Sequence, residues 1–361
     1  LSDLSQVENG ELAGNARGIL NAMMYDPALP VRDDAGNYIR RAQLGEFIAN
    51  PVATVTELID RRNDTRFIGN LFAELELLEG LRLRSSVGGN LWNAFNPFFA
   101  PRSIYQGFQY GGDARVWQGR STEIVNENLL SYVREQLGPG RLDATAGFSV
   151  QTSRFEYTNI RARNFQVEKP RWNNLGAGAE RPVVESGASE WALLSYLGRV
   201  NYNLLDRYLF TLTGRRDGSS RFGANNKWAF FPSAAFAWRV SDEPWMQAQP
   251  VFSDLKLRLS YGLTGNQAVD PYQSLAGLAG AATGVGGTIQ TGYAPSSAAP
   301  NPDLKWETTR QFNAGLDFGF FDNRLTLSAD AYQSRTEDLL LTVNMPFTSG
   351  FATQLRNIGV V

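Results

Sequence analysis

The stretch Asn301–Leu341 reads NPDLKWETTRQFNAGLDFGFFDNRLTLSADAYQSRTEDLLL. Its even positions from Trp306 are Thr308, Arg310, Phe312, Ala314, Leu316, Phe318 and Phe320; its odd positions are Glu307, Thr309, Gln311, Asn313, Gly315, Asp317 and Gly319. One set is mostly apolar and the other is polar or Gly, which is the period-2 mark of a strand with two unlike faces. Phe321-Asp322-Asn323 makes a tight turn, and Leu325, Leu327, Ala329 and Ala331 then alternate with Thr326, Ser328, Asp330 and Ser334. Both strands exceed the usual globular length of about 5–6 residues. Runs of roughly 10 or more alternating residues suit a tilted crossing of a bilayer.

The same alternation starts at Phe67 and recurs to the end of the chain. Phe67, Gly69, Leu71, Ala73, Leu75 and Leu77 oppose Asn70, Glu74 and Glu76; after Glu79-Gly80, Leu81, Leu83, Ser85, Val87 and Leu91 oppose Arg82, Arg84, Ser86 and Asn90. Further strands are expected at 122–136 (a poor alternation), 141–155, 190–204, 207–217, 228–240 and 254–264. Pro232 inside one of them predicts a bulge or a locally unpaired position. Ile358-Gly359-Val360-Val361 reads as the start of another strand, so the chain is expected to be a piece cut at both ends. Residues 1–66 read as a loop region with short helical pieces, one over Asn15–Met24 and one marked by Val52, Val55, Leu58 and Ile59 after Pro51. Residues 67–361 read as part of a barrel wall, with about ten strands plus the beginning of one more.

The totals exclude several classes. The 34 basic and 36 acidic residues leave a net charge of −2, which gives no reason to expect nucleic acid. Without Cys or His there is no disulfide framework, no thiolate site and no His-based triad, and the commonest metal ligand is missing. No apolar run approaches the roughly 18 residues of a membrane helix, which leaves a barrel open. Glu74 and Glu76 share a strand face as glycosidase acids do, but a solvated wall explains them better. No calcium-loop or phosphate-loop pattern occurs, so catalytic residues, metal and cofactor are all expected to be none.

Connections alternate. Short turns fall near residues 79, 139, 206 and 322, long segments at 92–121, 157–189, 218–227 and 265–305, and a link of intermediate length, Ser241–Ser253, where a short turn is due. Outer-membrane barrels sort their connections this way, with short periplasmic turns and long extracellular loops, whereas a soluble sandwich has no reason to. The charged residues Arg82, Arg84, Glu74, Glu76, Lys256, Arg258, Asp317 and Asp330 fall on one face, as a polar lumen tolerates. Trp228, Trp238, Trp306, Phe318, Phe320 and Tyr208 lie near strand ends, as in interfacial girdles.

Three blocks then resemble the SusC/RagA-type TonB-dependent outer-membrane transporters. They are Arg215-Arg216-Asp217-Gly218-Ser219-Ser220-Arg221-Phe222-Gly223, Ser260-Tyr261-Gly262-Leu263-Thr264-Gly265-Asn266-Gln267, and Asn301-Pro302-Asp303-Leu304-Lys305-Trp306-Glu307-Thr308-Thr309 with Asp338-Leu339-Leu340-Leu341 after it. The resemblance implies an all-β, antiparallel transmembrane β-barrel of about 22 strands, of which this chain is a fragment. It also implies a plug, energy from the TonB complex, a SusD-like surface lipoprotein partner, and uptake of glycan or peptide across the Gram-negative outer membrane. Asp217-Gly218 is expected to end a strand with positive φ, and Arg215, Arg221 and Asp217 to pair at a loop base. Asn301 and Pro302 restart a strand, and Trp306 and Glu307 belong to the same structural signature.

Loop aromatics are the candidates for contact with ligand or partner. Trp92, Phe95, Phe98, Phe99, Tyr105, Phe108, Tyr110 and Trp117 crowd one expected loop, and Trp172 and Tyr293 sit in two others. Aromatic faces beside polar groups bind sugar rings and peptide side chains, and the same residues can pack a loop or dock a lipoprotein. The alternative function is an all-β surface-binding or adhesin protein that transports nothing; a barrel-borne hydrolase is a further one.

Overall fold

The computed structural model describes residues 22–40, 49–248, 251–285 and 288–361. Most of the expected helix over Asn15–Met24 lies outside these residues; residues 22–24 are helical. The chain forms two compact units, one of Leu1–Gly69, Gly89–Glu123 and Arg154–Ser189, the other of Asn70–Gly88, Ile124–Ser153 and Glu190–Val361.

Helix α1 (Pro51–Glu57) has Pro at its first turn and Asn50 as its cap. Asn50 Oδ1 accepts from the backbone N–H groups of Val52 and Ala53, while its Nδ2 donates to the carbonyls of Val31 and Ile39. The buried face of the helix is Ala53 and Thr54, not Val52 and Val55, which are exposed. The small residues let the helix approach Phe98, Ala100 and Ile104 closely.

The strands are β1 (Ile59–Asp60), β2 (Asn63–Leu78), β3 (Leu81–Ala100), β4 (Asp113–Leu137), β5 (Gly140–Arg163), β6 (Val183–Leu204), β7 (Tyr208–Ser219), β8 (Trp228–Arg239) and β9 (Phe252–Asn266). A short helix α2 (Tyr105–Phe108) lies between β3 and β4. After β9 come β10 (Leu278–Val285), β11 (Thr288–Pro295), β12 (Ala298–Ala299), β13 (Glu307–Phe320), β14 (Leu325–Glu337), β15 (Leu340–Asn344) and β16 (Thr353–Asn357). Among the described residues one antiparallel sheet of eleven strands runs β1-β3-β4-β5-β6-β7-β8-β9-β13-β14, with β2 also paired to β3. Ten of these are long, as the alternation predicts.

The short turns use positive φ. Gly80 and Gly138 supply it cheaply, whereas Leu205-Asp206 and Phe321-Asp322-Asn323 adopt it with side chains. The turn at Asp322 is held by its N–H, which donates to Ser253 Oγ at 2.7 Å.

Several expected loops are partly strand. β3 continues to Ala100 and β4 starts at Asp113, so the connection spans only residues 101–112; that between β5 and β6 spans 164–182. Pro97, Phe98, Phe99 and Ala100 are all buried, and a strand covered on both faces loses its alternation. The Gly/Ala-rich segment after β9 contains the β10–β11 hairpin. Pro232 causes no bulge: it pairs with Gly214 in unbroken register, and the β8–β9 ladder stops at Ser233, where the missing N–H costs nothing. Residues 358–361 are not a strand; Val360 makes a single bridge to Glu337. β12, β15 and β16 form a separate small sheet.

Register defines two faces in the second unit. Val200, Leu212, Ala234, Tyr261 and Phe312 form one cross-strand row. Except for Ala234 they are large, and all are exposed, Leu212 by 62%. The neighbouring row on the other face is Asn201, Thr211, Ala235, Ser260 and Asn313.

Candidate functional site

The candidate aromatics separate once the strands are placed. In the first unit Trp92 on β3 and Trp117 on β4 are ring neighbours at 6.1 Å, and Trp92 stacks on Phe155 of β5 at 6.4 Å. Phe155 in turn stacks on Tyr157 at 6.1 Å. The result is a half-buried aromatic stripe across three strands. Gly119 lies under the Trp117 indole, where a Cβ would come within 2.2 Å of the ring. Trp92 is two residues from Asn90, so the stripe shares a face with a polar chain in which Arg66 donates to Asn90 and Asn90 to Glu123. Aromatic faces beside hydrogen-bonding groups are what a sugar ring or peptide side chain requires. Sequence reasoning missed Phe155 and Tyr157; their two-residue spacing on an alternating strand was the available signal.

The other candidates go elsewhere. Phe98 and Phe99 are core residues, Phe99 packing edge-on to Phe165. Trp172, in a short 3-10 helix, packs against that same cluster. Phe95 is exposed on β3. Tyr105 and Phe108 belong to α2, with Arg40 3.9 Å above the Phe108 ring. Tyr110 lies beneath Arg163 at 3.8 Å. Arg163 and Arg161 both reach the buried carboxylate of Asp113. Tyr293 projects from β11, 82% exposed.

In the second unit the three signature blocks converge. Phe222 and Trp306 are 4.8 Å apart, Phe231 meets Trp306 edge-on at 5.5 Å, and Val269 and Leu304 complete the buried cluster. Trp306 is only 6% exposed and donates from Nε1 to the carbonyl of Lys227. It is therefore not part of an interfacial girdle, because its whole ring is taken up by the loop core. The Gly223 N–H donates to the carbonyl of Leu304, and a Cβ on Gly223 would lie 2.1 Å from the Pro302 carbonyl oxygen. Asn225 donates to Asp303, and Asn301 Nδ2 to the carbonyl of Leu355. Glu307 accepts from Asn266 and from the Leu340 N–H.

Arg215 pairs with Asp217 at 2.8 Å and also donates to the buried Ser195. Arg221 does not join them. It donates to the Val269 carbonyl at 2.7 Å and stacks 4.4 Å above Trp191; burial lowers its pKa from the ordinary arginine value, with Asp270 opposing. Gly218 has no positive φ. It sits within β7 under the Trp228 indole, where a Cβ would approach to 2.7 Å. These contacts make the signature a loop anchor. The same unit carries ion pairs on its polar face, Arg258 bonding both Asp317 and Asp330.

Long strands in sequential antiparallel order, one face apolar and exposed, the other charged, with short and long connections in turn, define a β-barrel wall of the outer-membrane kind. Residues 26–361 match the family model described as TonB dependent receptor-like, beta-barrel. The chain belongs to that family, and within it to the SusC/RagA type, which resides in the outer membrane of Gram-negative bacteria. It is 37% identical over 346 residues to TonB-dependent receptor P3 of Formosa agariphila, covering 96% of this chain and 34% of that protein. To TonB-dependent receptor SusC of Bacteroides thetaiotaomicron it is 34% identical over 324 residues, covering 86% of this chain and 31% of that one. The structure of the RagAB peptide transporter superposes with a TM-score of 0.80 at 27% identity, covering 90% of this chain and 36% of the other. The chain thus spans about a third of the length of the curated relatives it matches. The family is one of receptors and transporters, not of enzymes.

Proposed function

We propose that the chain is part of the wall of a TonB-dependent transporter that takes up large nutrients, glycans or peptides, together with a SusD-like surface lipoprotein. The observation that carries this is the exposed row Val200, Leu212, Tyr261 and Phe312, set back to back with the polar row of the same strands. Water penalises such a belt and lipid favours it, which also speaks against a soluble adhesin. The polar face leaves a wet path for a large ligand, and the aromatic stripe beside Asn90 supplies a surface for sugar rings or peptide side chains. The likeness to a structure described as a peptide transporter supports the peptide class.

The test uses the full-length gene in its own host. Uptake of labelled oligosaccharides and of labelled peptides is compared in the parent strain, a strain lacking this gene, and a strain lacking TonB. Uptake of one ligand class that falls to background in both deletions is expected. Uptake of both classes that is unchanged in either deletion overturns the reading.

A further inference from the structure

Two glycines lie beneath the aromatic stripe of the first unit. A Cβ on Gly119 of β4 would come within 2.2 Å of Trp117 Cη2, and one on Gly187 of β6 within 2.6 Å of Tyr157 Cε1. Neither glycine has a positive φ, so no turn requires it, and a glycine inside a strand weakens the strand. What each supplies is space. The Trp117 and Tyr157 rings reach into the room a side chain would take and so lie down against the sheet. Both rings remain half-buried, with one side on the wall and the other open. The Phe231 ring over Gly265 uses the same device but is 8% exposed, closed in by the loop core.

The stripe ends at each side in an amide–carboxylate pair. Asn90, two residues from Trp92, donates to Glu123 at 3.4 Å. Asn159, two residues from Tyr157, donates to Glu185 at 3.0 Å, and Glu185 is itself two residues from Gly187. Two-residue spacing on a strand keeps each pair on the face of the stripe. Such a pair offers donors and acceptors together, as the hydroxyls of a sugar require. The strands that carry Trp117, Phe155 and Tyr157 are interior to the sheet, β4 between β3 and β5, and β5 between β4 and β6. Their main-chain groups are used within the ladders, so an extended peptide has no free edge over the stripe with which to pair.

We propose that Gly119 and Gly187 are positioning residues: they keep Trp117 and Tyr157 down against the wall, so that the stripe accepts the face of a sugar ring in preference to a peptide. The pairs Asn90–Glu123 and Asn159–Glu185 bond the hydroxyls at its two ends. The proposal rests on the reading of the stripe as a ligand surface and adds what shapes it and which ligand class it selects.

The test uses full-length protein in detergent, applied to an array of plant, algal and host glycans and to an array of peptides. The wild type is expected to bind glycans, and Gly119→Ala and Gly187→Ala each to weaken that binding by about tenfold. Thermal unfolding no lower than wild type in both variants shows an intact barrel, since alanine in a strand loses less entropy on folding than glycine. A second readout follows the rings themselves. The Trp92 and Trp117 indoles are 6.1 Å apart at 50°, close enough for their transitions to couple and give a paired band in circular dichroism. That band should change in Gly119→Ala and stay as it is in Gly187→Ala, which touches neither indole. An unchanged band in Gly119→Ala, or glycan binding that Trp92→Ala loses but both glycine variants keep, overturns the positioning role alone. No glycan bound by the wild type overturns the sugar assignment. Glycan binding that survives Trp92→Ala as well removes the stripe as the ligand surface, while the uptake experiment decides transport separately.

Discussion

Arg258 of β9 and Asp330 of β14 form an ion pair across an intervening strand, Nη2 to Oδ1 at 3.1 Å. Gly315 of β13 is the direct partner of both residues. A Cβ there would lie 2.5 Å from Asp330 Oδ1 and 2.8 Å from Arg258 Cζ. The missing side chain is what lets the two charges meet. Both remain partly exposed, so solvent screens the pair and its contribution is small. A double-mutant cycle of Arg258→Gln and Asp330→Asn, read by denaturant unfolding of the full-length barrel, is expected to show that coupling. In a Gly315→Val background the coupling should vanish; an unchanged value would show that the charges do not meet over Gly315.

Trp306 anchors the loop junction. Trp306→Ala removes a buried ring from between Phe222 and Phe231 and is expected to cost about 3–5 kcal/mol. Trp306→Phe keeps an aromatic ring in the cluster but loses part of its volume and the bond to the Lys227 carbonyl, at a cost of about 1–3 kcal/mol. Equal losses for the two variants in unfolding experiments would show that packing is not the main contribution.

Gly223 has a different task, since it permits backbone contact. Gly223→Ala drives a methyl into the Pro302 carbonyl, so residues 220–227 are expected to lift from the 301–306 segment. Limited proteolysis should then cut within 220–227 faster than in wild type. Unchanged protection would mean that the loop is held elsewhere.

Glu243 lies in the connection between β8 and β9, outside the strands. Its carboxylate accepts from Tyr208 Oη at 2.5 Å and Trp238 Nε1 at 3.0 Å, with Arg207 nearby. The Tyr208 bond first, then the Trp238 bond, lower its pKa below the ordinary glutamate value. A carboxylate with a depressed folded pKa contributes stability that is fully present above its unfolded value of about 4.3 and is lost as pH falls through the folded value. Unfolding midpoints measured from neutral pH downward should therefore fall less steeply below about pH 4.3 in Glu243→Gln than in wild type. Parallel pH curves for the two proteins would remove Glu243 from the account.

The aromatic stripe is tested by ligand binding. Trp92→Ala and Phe155→Ala are each expected to weaken binding of the transported ligand by about tenfold, whereas Tyr293→Ala, on the β10–β11 hairpin and no part of the stripe, should not. Calorimetry on the full-length protein decides it. A loss confined to Tyr293→Ala would move the ligand surface to the hairpin.

Much of this was legible because alternation is local. From Asn313 to Phe320 every second residue points the same way, so a reader of the chain can assign the face of Phe312 or Asp317 without knowing any partner. The upper parts of β3 and β4 were not legible for the converse reason. Pro97 to Ala100 are buried throughout, and a pattern that depends on one wet face disappears when both are covered. Trp92 and Trp117 therefore read as loop residues in the sequence, although both are on strands. Of the candidate site, the sequence marked Trp92 and Trp117 as belonging together but left out Phe155, which comes from a strand that looked merely structural.

By itself the sequence determined the all-β class, the tight turns at Gly80, Gly138 and Asp322, the polarity of the faces of the cleanly alternating strands, and the family. These rest on interactions between residues a few positions apart, or on composition. Tertiary structure alone decided that Phe222, Val269 and Trp306 share one core, that the carbonyl of Lys227 receives the Trp306 N–H from 79 residues away, and that Gly218 makes room for an indole instead of turning the chain. Such contacts are selected by which loops close on which strands, and the period of a strand is the same whether its end meets water, lipid or another loop.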